Sequence, residues 1–320
     1  MQHFLLSARS RSLSLKAIYK MGEAKAYATF CQIRWPETDG EAVCPRCGCL
    51  DSYKITTRRK FKCKGCHHQY SVTSGTILHS RKLDFTDLLA AVCLFVTGAK
   101  GMSAVQFSRT MDVQYKTAWV LCHKLREALA DETDDHSLSG DVEIDGCYVG
   151  GKVRRANAKA DRKDKRKLGN RSDRRRVVVA LRERGGRTLP FVRRIEGEGV
   201  EIARGVVEPG STIIADEARH WDALEWEFAS KRINHSEMYS DRNGTHTNWV
   251  ESYFARLRKM IGGQHHFVSA KYLYQYAEHC AWIEDHRTTD LKTLAFKLVG
   301  AAMDAGRSRK FGGYWQRAAA

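Results

Sequence analysis

Two groups of residues in this chain have types and spacings that could do chemistry. Cys44, Cys47, Cys63 and Cys66 read C-x2-C-x15-C-x2-C, and Asp145, Asp216 and Glu251 are acids set in or beside apolar stretches. Each cysteine pair can close a tight knuckle that aims two thiolates at one tetrahedral zinc ion. Four thiolates leave no open coordination position, so such a zinc is structural, stabilising a fragment too small to bury a sufficient core alone. Cys49, His67 and His68 are possible substitute ligands, which two symmetric pairs do not require. The ten cysteines are otherwise irregularly spaced, which favours metal over a disulfide framework and points to a reducing, cytoplasmic setting.

The acids suit a harder cation. A carboxylate in an apolar strand is costly unless a positive charge compensates it. Three oxygen ligands plus a substrate phosphate are what Mg²⁺ takes, with Mn²⁺ able to substitute, and two such ions suit in-line attack on a phosphodiester. The stretch "DVEIDGCYVGGK" alternates like a strand, so Asp141, Glu143 and Asp145 share one face. The glycines after Asp145, which permit close approach of a backbone or substrate, single it out. "GSTIIADEARHWDAL" reads as a buried strand ending at Asp216 and running into a helix, where Asp216 has helix capping as a rival role. In a sheet where these two strands are neighbours, both carboxylates meet at one edge. A third ligand comes from the amphipathic helix in "THTNWVESYFARLRKMIGG". Asn248 and Glu251 lie one turn apart there and point to the same side, with Arg258 two turns beyond Glu251, placed to hold a phosphate.

These residues need elements to position them. "RRRVVVALRERGGRTLPFVRRIEG" predicts two strands joined across Gly185 and Gly186, and residues 200–206 predict a helix. The resulting order suits an α/β domain with a mixed sheet in the manner of RNase H. Upstream, residues 84–98 predict an apolar helix ended by glycine. A short helix over 104–111, a break at 112–114 and a helix from 115 to 129 outline a helix-turn-helix that leaves Lys116, His123, Lys124 and Arg126 off the apolar face.

A net charge of +17 over 320 residues implies a polyanionic partner, nucleic acid first. No apolar run reaches the roughly 18 residues of a membrane span. Between the cysteine pairs, Arg58, Arg59 and Lys60 are interleaved with Tyr53 and Phe61, which suits phosphate contacts and stacking. The segment 152–176 is dominated by Lys and Arg and reads as a solvated insertion loop able to clamp DNA.

Taken together, the ribbon, "VEIDGCYVGGK", "IIADEA" and "HTNWVESYFARLRKMIGGQHHFVSAKYLYQY" resemble the bacterial insertion-sequence transposases that join an N-terminal zinc ribbon to a DDE-type, RNase-H-like domain. The likeness runs over about residues 30–287. It implies that Asp145 and Asp216 are the two catalytic aspartates and that Glu251, or else Asn248, is the third ligand. Arg258, with Lys259 beside it, would be the basic position two turns on, and His265 and His266 of "GQHHFVS" would approach DNA. It also implies nicking of the element's end by water and attack of the freed 3′-hydroxyl on target DNA, by a homo-oligomer associated with the nucleoid. The alternative is a zinc-ribbon DNA-binding regulator or an inactive, domesticated transposase. The expected organisation is an N-terminal arm (1–29), a zinc ribbon (30–80), a helical DNA-binding segment (81–135), a catalytic domain (136–290) and a C-terminal tail (291–320).

Overall fold

The computed structural model describes residues 4–131, 137–151, 157–162, 172, 174–234, 237, 240–241 and 244–314. Most of the basic insertion expected at 152–176 lies outside the described residues. The chain divides into two compact units, Met1–Glu132 with His286–Ala320, and Thr133–Asp285.

The first unit opens with helix α1 (Leu15–Arg34), followed by the ribbon strands β1 (Ser52–Ile55), β2 (Lys60–Cys63) and β3 (Gln69–Tyr70), paired antiparallel in that order. Alternation in "KFKC" turns Phe61 and Cys63 inward and the lysines outward. Phe61 packs against Trp35 and Tyr70, with ring centroids 5.7 and 5.5 Å away, a core too small to stand without the metal. Helix α2 (Phe85–Thr97) is buried on nearly every side, and its first turn is held from two sources. Asp84 accepts from the Asp87 N–H, while Glu23 of α1 accepts from the N–H groups of Phe85 and Thr86, both at 2.9 Å.

Helices α3 (Ala104–Thr110) and α4 (Tyr115–Asp131) flank a turn at Asp112, which has φ 49°. The helix pair is present, but α4 does not offer the free faces expected of it. His123 and Arg126 are buried, His123 lying 4.1 Å from the Trp119 ring and 4.8 Å from Phe311, and Arg126 lying 5.5 Å from the Phe95 ring. The physical reason lies at the far end of the chain. Residues 291–320, a tail on the sequence reading, contain the helix Leu291–Asp304, whose Leu294, Leu298, Val299 and Ala302 are buried and which packs on α1, α2 and α4.

The second unit is a five-stranded mixed sheet. Strands β4 (Asp141–Val149), β5 (Arg176–Glu183) and β6 (Thr188–Arg193) form an antiparallel meander, and helix α5 (Gly199–Val206) leads to β7 (Thr212–Asp216) and β8 (Ala229–Ile233). The order across the sheet is β6-β5-β4-β7-β8, with β7 parallel to both β4 and β8. Strand β8 is an addition to the sequence reading. "ASKRI" has only Ile233 buried, and Arg232 ties it to β7 by donating to the backbone carbonyls of Asp216 and Ala218, each at 2.7 Å. One face of the sheet packs Val142, Ile144, Val177 and Val179 against α5 and Trp221. The other packs Cys147, Val178 and Ala180 against α6 (Asn248–Met260) and α7 (Leu273–Asp285). This is the α/β, RNase-H-like architecture expected after a zinc ribbon and a helical segment.

Candidate functional site

The acids gather at one end of the sheet because β4 and β7 run parallel. Val142 pairs with Ile213 and Glu143 with Ile214, where the paired ladder ends; Asp145 and Asp216 each follow two residues on, and the charge of Asp216 acts on Asp145. Burial first, then the neighbouring charges of Asp216, Glu196 and Glu251, push the Asp145 carboxyl up to about 7, against a lowering by the Gly146 N–H, which donates to its Oδ1 at 2.7 Å. The three charges that most raise the Asp145 carboxyl are thus those of other acids. Asp216 Oδ1 accepts from the Ala218 N–H at 3.1 Å, a turn that precedes the 3₁₀ helix Arg219–Leu224; the N-cap of that helix is Ala218, so Asp216 does not take the helix-capping role considered for it.

Glu251 lies one turn into α6, where its Oε1 accepts from the Thr247 hydroxyl at 2.8 Å. Asn248 is exposed as the first residue of the same helix. What holds α6 in place is Glu143, which strand parity alone leaves equivalent to Asp145. The Glu143 carboxylate is fully buried, accepting from the N–H groups of Trp249 at 2.8 Å and Val250 at 3.1 Å, with Arg184 Nε at 2.9 Å and His246 Nδ1 at 3.1 Å. A carboxylate at a helix N-terminus is stabilised by both the free N–H groups and the dipole. Glu143 therefore docks α6 onto β4, which leaves Asp145, two residues further on, as the less compensated acid.

Glu196 was not singled out by the sequence. It opens a 3₁₀ turn, Glu196–Glu198, between β6 and α5, and burial followed by the charge of Asp216 raises its carboxyl above the ordinary range. Its only sequence signal is an acid between two strand-ending arginines and a glycine.

The ribbon brings its four ligands together more closely. Cys44 Sγ lies 3.6 Å from Cys66 Sγ, and Cys47 Sγ lies 3.5 Å from Cys63 Sγ, within a group whose sulfurs all lie inside 4.8 Å of one another. Tetrahedral zinc with Zn–S of about 2.3 Å sets sulfurs about 3.8 Å apart, whereas a disulfide needs about 2.05 Å. Both knuckles are closed alike, Gly48 N–H donating to the Cys44 carbonyl at 2.9 Å and His67 N–H to the Cys63 carbonyl at 3.1 Å. The Cys66 N–H donates to Cys63 Sγ at 3.4 Å and helps bring that thiol down to about 6, toward the thiolate that binds metal. Cys49 turns to the Asp51 carbonyl and His68 stacks on Tyr70, so the four paired cysteines alone form the group.

Comparison with known families agrees with both parts. Residues 137–285 match the ISXO2-like transposase domain, and residues 21–69 match the transposase zinc-ribbon domain. The chain joins a transposase zinc-ribbon domain to an ISXO2-like transposase domain. No curated protein matches it. The ribbon is a structural zinc site, and a transposase with such a ribbon binds DNA. Among the described residues no helix is long and apolar enough to cross a membrane.

The cations expected to meet the DNA are not equally placed in this chain. Arg58, Lys60, Lys116, Arg258, Lys259 and His266 are exposed. Arg59, though exposed in part, is engaged with Glu23 and lies over the Tyr27 ring at 5.5 Å. Lys124 is turned inward, donating to the His79 carbonyl at 3.4 Å, with its pKa lowered by burial. His265 packs edge-on against Tyr276 at 4.7 Å. Arg258 reaches back to β4, where its charge and hydrogen bond act on Cys147, two residues beyond Asp145 on the same face.

The acidic residues fit a divalent cation by their chemistry: hard oxygen donors, part-buried, with like charges uncompensated at Asp145. They do not close on a point as the sulfurs do. Among the described residues, the four cysteines are the only group of three or more such ligands lying within 4.8 Å of one another.

Proposed function

We propose that this transposase cuts DNA at the ends of its own insertion sequence and joins the freed 3′-hydroxyl to target DNA, with Asp145, Asp216 and Glu251 as the catalytic ligands of divalent cations. The observation that supports this reading most is the parallel pairing of β4 with β7, which ends two residues before Asp145 and Asp216, with the charges of Asp216 and of Glu251 of α6 both acting on Asp145. Mg²⁺, or Mn²⁺ in its place, would supply neutralisation of the phosphate and ionisation of water there. In the first reaction, water attacks phosphorus at the element's end, the P–O3′ bond breaks, and the departing oxygen takes a proton to become a 3′-hydroxyl. In the second, that hydroxyl attacks a target phosphodiester, giving up its proton as the target's own 3′-oxygen leaves and is protonated.

The protein's part is to hold and orient. Glu143 fixes α6 so that Glu251 faces β4, and Arg258 takes a non-reacting phosphate oxygen beside Cys147. Asn248, exposed at the start of α6, is the alternative third ligand. Arg58, Lys60 and Lys116 contact DNA phosphates, as do Lys259 and the exposed His266 beyond the catalytic helix. Pairing two element ends requires two catalytic domains, so the active form is a homo-oligomer on DNA, working at the nucleoid in the cytoplasm.

The test uses purified protein, Mg²⁺ and a labelled duplex carrying the DNA that flanks the gene. Wild type yields nicked and joined products. Asp145→Asn and Asp216→Asn keep end binding and lose cleavage by more than about 100-fold, beyond the loss typical of a residue that only supports a metal ligand. Tight binding without cleavage by wild type, under Mg²⁺ or Mn²⁺, would replace this reading with that of a DNA-binding regulator.

A further inference from the structure

We propose that Glu196 is a fourth carboxylate of the cation site, reaching it from the α5 side of the sheet through the gap left by Gly146. The inference rests on the proposed function and deepens it. Gly146 follows Asp145 in β4 and shares its strand face with Val142 and Ile144, which pack toward α5. A Cβ at Gly146 would collide with the Glu196 carboxylate, so the glycine is what lets this acid lie across the strand. The Gly146 N–H is directed at Asp145 Oδ1 at 2.7 Å, while the Glu196 carboxylate lies against Gly146 where a Cβ would stand, so two carboxylates meet one residue from opposite faces of the sheet. The Tyr148 hydroxyl donates to Glu196. These contacts fix where the Glu196 oxygens stand: against the backbone of Asp145 and within electrostatic reach of Asp216.

Around the Glu196 carboxylate stand the neutral Tyr148 hydroxyl and Gly146 backbone, and the charge that acts on it most, that of Asp216, is negative. Glutamine would accept the same hydrogen bonds without the repulsion, so the hydrogen bonds alone give no reason for a charge. A divalent cation does. Asp145 and Glu251 approach from the α6 face, Asp216 from the neighbouring strand end and Glu196 from the α5 face, so the oxygen donors come from both sides of the sheet. Removing one carboxylate from such a set should weaken the site without unfolding it, because the remaining acids repel each other less.

The experiment is Mn²⁺ titration of the zinc-loaded, full-length protein without DNA, followed by the paramagnetic resonance signal of free Mn²⁺. Wild type is compared with Glu196→Gln, Gly146→Ala, Asp145→Asn and, as a neighbouring control, Glu198→Gln. Glu196→Gln is expected to weaken Mn²⁺ binding roughly 10-fold, with an unfolding temperature in the absence of Mn²⁺ equal to or above that of wild type. Gly146→Ala, which displaces the same carboxylate, should reproduce the loss, and Glu198→Gln should bind as wild type. If Asp145→Asn loses Mn²⁺ while Glu196→Gln and Gly146→Ala keep it, Glu196 is a structural residue and this inference fails alone. If Asp145→Asn also binds Mn²⁺ as wild type does, the proposed cation site fails and Glu196 with it.

Discussion

The two ligand groups of this chain are built on opposite plans. In the ribbon, two matching knuckles bring four sulfurs to within 4.8 Å of one another, near the spacing that tetrahedral zinc imposes. In the second unit, acids from β4, β7, α6 and the turn after β6 share one region, yet they do not converge on a point. Backbone hydrogen bonds within each knuckle set the sulfur positions, so geometry there is local. The acids are positioned by a sheet register and by one buried glutamate that docks a helix, so their geometry is long-range. A closed site suits a metal that never leaves and supports the fold, whereas an open one leaves coordination positions for substrate phosphate.

The contrast breaks most visibly on removal of metal. Structural zinc in small domains contributes about 10–16 kcal/mol of apparent binding energy, more than a three-stranded ribbon can replace by packing. A strong chelator, or Cys63→Ser, should therefore unfold the ribbon, read as loss of hydrogen-exchange protection over β1 to β3. The second unit should keep its protection, because its core of β4, β5, α5 and α6 contains no metal ligand among the sulfurs. Loss of protection in β4 and β5 on chelation would show that the two plans are not separate.

A smaller effect distinguishes the open site by pH. The Asp145 carboxyl is pushed up to about 7 from an ordinary 3.8 by burial and by the surrounding acids. A carboxyl whose folded pKa is raised binds its proton more tightly folded than unfolded, so its contribution to stability is fully present below the unfolded value and lost as pH rises through about 7. Without divalent cations, the unfolding temperature of wild type relative to Asp145→Asn should fall between about pH 5 and pH 8 by a few degrees, at about 2–4 °C per kcal/mol for a unit of this size. Mg²⁺ should restore it at the upper end, where it no longer competes with a proton. A difference that is flat with pH would mean Asp145 is solvated and uncoupled from its neighbours.

What could be read from the sequence follows the same division. The cysteine spacing is local, and it was legible in full. The strands of Asp145 and Asp216 were legible from their apolar pattern, as was the helix carrying Glu251, because period and glycine punctuation are local too. Partners supplied from far along the chain were not. Glu143 differs from Asp145 in what Arg184, His246 and the start of α6 bring to it, from about forty to about a hundred residues later. Glu196 becomes visible only when β6 lies beside β5 and its following turn crosses Gly146. His123, Lys124 and Arg126 look like surface cations on a helical wheel, but His123 is buried under Phe311 and Arg126 is buried beside Phe95 of α2. The glycines after Asp145 read as permitting close approach of a backbone or substrate, whereas what approaches Gly146 in the structure is a side chain of the protein itself.

The smallest expected effect separates two adjacent arginines of the ribbon. Arg58 and Arg59 are indistinguishable by sequence, yet Arg59, at φ 47° in the turn before β2, turns back to Glu23 and Tyr27 of α1, whereas Arg58 is exposed. Glu23 also caps α2, so the Arg59 pair ties the ribbon turn to two helices of the first unit. An ion pair this exposed contributes at most about 1 kcal/mol, so Arg59→Ala should lower stability slightly and leave the salt dependence of DNA binding unchanged. Arg58→Ala should do the reverse, reducing the slope of log affinity against log salt by about one while leaving the unfolding temperature alone. Equal loss of slope from both substitutions would show that Arg59 leaves Glu23 when DNA arrives, and that the ribbon's contact with α1 gives way to its contact with phosphate.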